Sequence, residues 1–120
     1  MASRRFPLGD ILTVTTGIAF SQGIAGAHEL MEYMVGGPVW THQLPRVADE
    51  CKPELLRQHP DLVGVRPPGD FPEPRAENAL RWLAAQVVRF GDYRTVAPLP
   101  AGHQLIDPIT ELGRLLGGAR

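Results

Sequence analysis

Trp40-Thr41-His42-Gln43-Leu44-Pro45-Arg46 runs through Asp49-Glu50-Cys51 to Leu55-Leu56-Arg57-Gln58-His59-Pro60, and this stretch concentrates the residues able to do chemistry. It holds two histidines, the single cysteine and a tryptophan among several charges. Imidazole, thiolate and carboxylate are zinc donors, so His42, Cys51 and His59 with Asp61 could hold a metal. The spacing argues against it. No C-x-x-C or H-x-x-x-H pair is present to let one turn preset two ligands. Cys51 with His42 or His59 could instead pair a nucleophile with a base. A reactive thiol wants a cationic setting, and Asp49 and Glu50 precede this one.

Other catalytic signatures fall short. His28-Glu29-Leu30-Met31-Glu32 has the start of a zincin helix, with Glu32 where the second histidine belongs. There is no P-loop, no G-x-G-x-x-G and no serine elbow, and the sequence offers no argument for a pocket at the pairs Glu29/Glu32 and Asp49/Glu50, so general acid–base work is unsupported. We assign no catalytic residue, no metal and no cofactor. The same stretch suits recognition better. Trp40 with Arg46 nearby has the composition of an interface anchor. Trp40, His42, Gln43, Arg46 and His59 are the expected partner-binding residues, with Gln43 and Arg46 giving directional hydrogen bonds. Trp82, Phe90 and Tyr93 are a second aromatic group.

The elements that must position these residues are mainly helical. From Pro7, the spacing of Leu8, Ile11, Leu12 and Thr15 predicts a short helix stopped by Gly17. The β-branched run Thr13 to Thr16 favours a strand, and the flanking Pro and Gly decide for the helix. Ile24, Leu30, Met31, Met34 and Val35 predict a second helix over 24–35, ended by Gly36-Gly37-Pro38. Thr41 is expected to cap a third, with Leu44, Val47, Ala48 and Cys51 inward and a break near Lys52, because Pro53 lacks a donor. A short helix carrying Leu55 and Leu56 then ends at His59-Pro60.

Residues 60–74 read as a Pro-rich loop between two halves. Pro74 to Phe90 is the clearest helix, with Ala76, Ala79, Leu80, Leu83, Val87 and Phe90 on one face and Gly91 as its cap. Residues 93–99 are extended, an edge strand because of Pro98. Asp107-Pro108 opens a last helix bearing Ile109, Leu112, Leu115 and Leu116. Residues 1–5 are expected to be a flexible tail. The expectation is a mainly α, compact single domain over residues 1–120, of about five short helices with at most a two- or three-stranded minor sheet.

Composition narrows the partners. With 120 residues the chain has one domain's worth of core. A net charge of −1 makes nucleic acid an unlikely main partner. Of 12 basic residues only Lys52 is a lysine. A lone cysteine suits a reducing compartment, and we find no leader and no membrane span, so a cytoplasmic location is expected.

Phe6-Pro7-Leu8-Gly9-Asp10-Ile11-Leu12-Thr13-Val14-Thr15-Thr16-Gly17, then Thr41-His42-Gln43-Leu44-Pro45-Arg46, Leu55 to Pro60 and Asp107-Pro108-Ile109-Thr110-Glu111-Leu112 resemble a family of small bacteriophage and prophage proteins grouped as a domain of unknown function. The resemblance covers about residues 6–116. Ile18-Ala19-Phe20 replaces more polar residues of the family, so no contact is assigned to residues 18–22. What the resemblance implies is a setting, a phage-encoded accessory protein in the cytoplasm of a host bacterium. By analogy with other small phage proteins, the expected function is non-enzymatic inhibition, anti-CRISPR-like, of a host defence or nucleic-acid-processing complex. The expected partner is a host protein or ribonucleoprotein complex. The alternatives are a small nucleic-acid-binding regulator and a Cys/His enzyme, with or without zinc.

Overall fold

The computed structural model describes residues 3–18, 20 and 25–100. Strand β1 (Arg4–Pro7) runs into helix α1 (Leu8–Thr16), and α2 (Ala25–Val35), α3 (Leu44–Gln58), α4 (Arg75–Phe90) and strand β2 (Tyr93–Val96) follow. Short 3-10 turns at Thr41–Gln43 and Pro60–Leu62 lead into and out of α3. The fold is mainly α with a small antiparallel sheet, as expected. No described helix is long and apolar enough to cross a membrane. The helix expected from Asp107 lies outside the described residues.

Local chemistry explains why α1 is helical despite its β-branched run. Thr13 and Thr16 donate their hydroxyls to the carbonyls of Gly9 and Leu12, at 2.7 and 2.6 Å, and so satisfy themselves within the helix. Gly17 then takes φ 80° and donates its N–H to the Thr13 carbonyl. Seven residues of α1, from Leu8 to Thr15, are buried, so the helix is enclosed rather than one-sided. α2 packs through Ala27, Leu30, Met31 and Met34, and α3 through Val47, Cys51 and Leu55.

The sheet corrects the expected tail at Arg4 and Arg5. Arg4 and Arg5 are paired, with Arg4 opposite Val96 and Pro7 opposite Tyr93. Phe6 and Val96 drive this, because both are buried in the core and the register brings their face inward. Beyond β2, Gln58 acts as a one-residue strand partner. Its amide accepts from the Ala97 N–H at 2.9 Å and donates to the Ala97 carbonyl at 3.0 Å.

α3 also departs from expectation. It passes through Pro53 unbroken. Val47, Cys51 and Leu55 sit on both sides of the proline and are buried on one stripe, so breaking the helix would expose half of it. Pro53 and Asp49, whose carbonyl loses its donor, are both exposed, so water can replace the missing bond.

α4 spans the expected residues but is packed more loosely. Ala79 is buried, with Trp82, Leu83, Val87 and Phe90 partly so. Leu80, expected inward, is 52% exposed, and Val88 is 88% exposed. The Pro-rich segment 60–74 is not a bare spacer, since Leu62 is buried and Val65 and Phe71 pack on the core.

Pro53→Ala restores a helical hydrogen bond at a solvated position. It is expected to raise stability by about 2 kcal/mol, less than the full helix penalty because the unfolded chain also gains freedom. Chemical denaturation checks this, and an unchanged or lowered midpoint would show that the proline holds something the helix needs.

Candidate functional site

Trp40 is the exposed centre of the expected recognition surface, and its backbone is fastened from both sides. Gly36 at φ 79° turns the chain off α2, with its N–H on the Glu32 carbonyl at 2.9 Å. Val39 is then clamped by two α2 side chains. The Glu32 carboxylate accepts the Val39 N–H at 2.8 Å, and His28 Nε2 contacts the Val39 carbonyl. These two residues stand four apart on one helix face. The zincin-like motif thus holds a backbone segment.

Gln43 continues the clamp. Its side-chain oxygen accepts the Trp40 N–H at 3.0 Å, while its own N–H donates to the Trp40 carbonyl at 2.9 Å. This is the returning half of a capping box. It replaces the Thr41 cap expected from sequence, because the glutamine amide reaches the orphan donor at the helix entrance. Gln43 is therefore only 2% exposed, which removes it from the expected contact face.

The Trp40 ring stays 47% exposed. The His42 ring meets it edge-on, with centroids 5.9 Å apart and planes at 88°. Arg46 lies half-buried in the first turn of α3, with Nη1 on Glu50 at 3.0 Å. Trp40, His42 and Arg46 thus gather at the N-terminal entrance of α3.

His59 does not join them. α3 separates its two ends by roughly 20 Å at 1.5 Å per residue. His59 belongs to a second cluster, centred on Arg94. The Arg94 guanidinium forks onto both Asp61 oxygens at 3.0 and 2.7 Å, donates to the Phe90 carbonyl, and points Nη1 at His59 Nδ1 at 3.4 Å. The hydrogen bonds from Arg94 hold the Asp61 carboxyl below its ordinary range. Desolvation lowers the His59 pKa first and the Arg94 charge lowers it further; the Thr95 backbone and Asp61 oppose this without reversing it. With Nδ1 accepting, Nε2 carries the proton, and it is buried without a partner among the described residues.

This geometry works against the Cys/His alternative. Cys51 is sealed in the core midway along α3. Burial and the Glu50 charge push its thiol up to about 12, away from thiolate chemistry. His42 and His59 stand at opposite ends of the helix. Among the described residues no group of three or more metal-binding side chains comes together.

The second aromatic group divides as well. Trp82 stacks on the buried Phe20 at 5.3 Å against the core, whereas Tyr93 lies under Arg5 and Phe90 under Arg89. Sequence reading missed His28 and Glu32 as backbone clamps and Arg94 as the centre of the second cluster. The i, i+4 spacing of His28 and Glu32 was the one available signal.

Comparison with known proteins agrees with the opening and central motifs. Residues 6–65 match a family model described as a domain of unknown function (DUF7736). The match holds α1, α2 and α3 with the Trp40 bridge, and it stops short of the Asp107 segment on which the resemblance also drew. No curated protein and no solved structure matches the chain.

His59 sets a pH dependence whose sign follows from its lowered pKa. The unfolded chain binds a proton near 6.5 that the folded one refuses until lower pH. Stability is then full above that value and falls as pH drops through the folded pKa. Melting temperature should decline on going below pH 6.5, and His59→Gln should flatten that decline. An equally steep decline in the variant removes His59 as its source.

Proposed function

The chain belongs to the DUF7736 family, a domain of unknown function, and from that premise we propose a non-enzymatic interaction protein that docks on its partner through Trp40, with His42 and Arg46 beside it. The observation that carries the reading is a large aromatic ring left half in solvent while its own N–H is held by Gln43 and the preceding residue, Val39, is clamped by Glu32 and His28. A ring held in place before contact loses little freedom on binding, which makes Trp an effective anchor. The neighbouring Arg46–Glu50 pair supplies charge at the rim, where it favours register over raw affinity.

The partner in this reading is a host protein or ribonucleoprotein complex of defence or nucleic-acid processing, blocked by surface occupation in the manner of an anti-CRISPR protein. The phage or prophage origin and the host cytoplasm rest on the sequence resemblance. The net charge of −1 supports a protein surface over bare nucleic acid as the main contact.

Affinity purification of the tagged protein from its bacterial host, followed by mass spectrometry, tests this. The expected outcome is one stoichiometric partner whose affinity drops by about 2–4 kcal/mol in Trp40→Ala, with a smaller loss in Arg46→Ala. Trp40→Ala should stay within about 1 kcal/mol of wild-type stability, since half the ring already meets water. Undiminished capture by both variants sinks the docking face, and steeply salt-dependent recovery of nucleic acid alone would move the function to nucleic-acid regulation.

A further inference from the structure

We propose that the cavity at the C-terminal end of α1 binds a small phosphomonoester, with its phosphate on Lys52, Arg66 and Thr15. The cavity measures about 260 Å³ and lies between the end of α1, the middle of α3 and the loop that follows Leu62. Lys52 and Leu56, one helical turn apart on α3, both line it. Arg66 enters from the loop, and Val65 and Ile18 give it apolar walls.

Charge is the first argument. Lys52 and Arg66 have no hydrogen-bond or ion-pair partner among the described residues, whereas Arg4, Arg46, Arg57 and Arg94 each hold a carboxylate. No acidic side chain among the described residues lines this cavity. The C-terminal carbonyls of α1 offset part of the charge, but a helix end carries only about half a negative charge against two cations. A net positive, partly enclosed pocket remains.

Thr15 is the second. It is 7% exposed, and its hydroxyl sits 3.5 Å from the Leu12 carbonyl, at the outer limit of a hydrogen bond. The neighbouring Thr16 hydroxyl is fully used, donating to Leu12 at 2.6 Å and accepting from Ile18. Thr15 therefore spends its donor only on a long bond and can turn it toward a ligand in the cavity that it lines.

These donors match a phosphate ester better than a carboxylate. A phosphomonoester carries close to two negative charges at neutral pH and offers three acceptor oxygens. A guanidinium, an ammonium and a hydroxyl meet both requirements. The organic part has its own space. A second cavity of about 500 Å³ shares Ile18 and Gly69 with the first and is lined by Phe71 and Arg75. Asp70 lines only this second cavity, which keeps its carboxylate off the cationic end. Neither cavity includes Trp40, His42 or Arg46, so this site stands or falls independently of the docking face.

The test is titration of the full chain with adenosine 5′-monophosphate, adenosine and inorganic phosphate, followed by calorimetry and amide chemical shifts. We expect saturable binding of the monophosphate, at least about tenfold tighter than adenosine or inorganic phosphate. The Lys52→Ala/Arg66→Ala double variant should lose about tenfold or more while keeping its melting temperature, since both side chains are exposed. Thr15→Val should weaken binding as well, with adenosine unaffected. The proposal is overturned by absence of saturable binding at millimolar monophosphate, by adenosine binding equally well, by inorganic phosphate alone matching the ester, or by a folded double variant that binds undiminished.

Discussion

Enclosure of α1 is the constraint from which the other contacts follow. A nine-residue helix has little stability of its own, so its neighbours must supply it. Leu8, Ile11, Leu12 and Val14 are all buried, each contributing on the order of 1.5–3 kcal/mol. Covering every side demands close approach. A Cβ at Gly9 would stand 3.1 Å from a Leu83 methyl of α4, and one at Gly26 would stand 2.3 Å from an Asp10 oxygen. The missing side chains let α4 and α2 come this near. Gly26 seats the Asp10 carboxylate in the first turn of α2, where the helix dipole favours negative charge.

The recognition surface inherits its rigidity from the same packing. α2 is fixed on α1, and through His28 and Glu32 it fixes Val39. α3 is fixed by Val47, Cys51 and Leu55, and through Gln43 it fixes Trp40. The tryptophan is therefore carried on the core without belonging to it. The same long α3 keeps the Arg94 cluster at its far end, where the ion pair joins β2 to the turn after α3.

What the sequence made legible was local. Gly17, the Gly36-Gly37-Pro38 turn and Gly91 end their helices where expected, because each stop needs only its own backbone geometry. The unforeseen parts depend on partners distant in the chain. Pro53 reads as a break until the buried stripe on either side outweighs it. Arg4 and Arg5 read as a tail because their strand partner lies at the other end of the described chain. Leu80 reads as inward by periodicity, yet α4 leans on the core through Ala79, Trp82 and Leu83 and leaves Leu80 in solvent. At the candidate site, the composition marked Trp40 and Arg46. It could not separate Gln43, which is spent inside, or His59, because a single α3 lies between residues that seem close in sequence.

The β1–β2 pairing carries a cost in time. During synthesis β1 leaves the ribosome first and must wait for Tyr93–Val96 to follow. At roughly 5–20 residues per second, that interval is on the order of 5–20 s, far longer than helix formation. Throughout it Phe6, opposite Arg94 in the finished sheet, lacks its strand partner. Arg4 and Arg5 on one side and Pro7 on the other are the residue types that discourage an open strand from pairing with a stranger. Arg4 and Arg5 thus suit the open strand before they serve the finished fold.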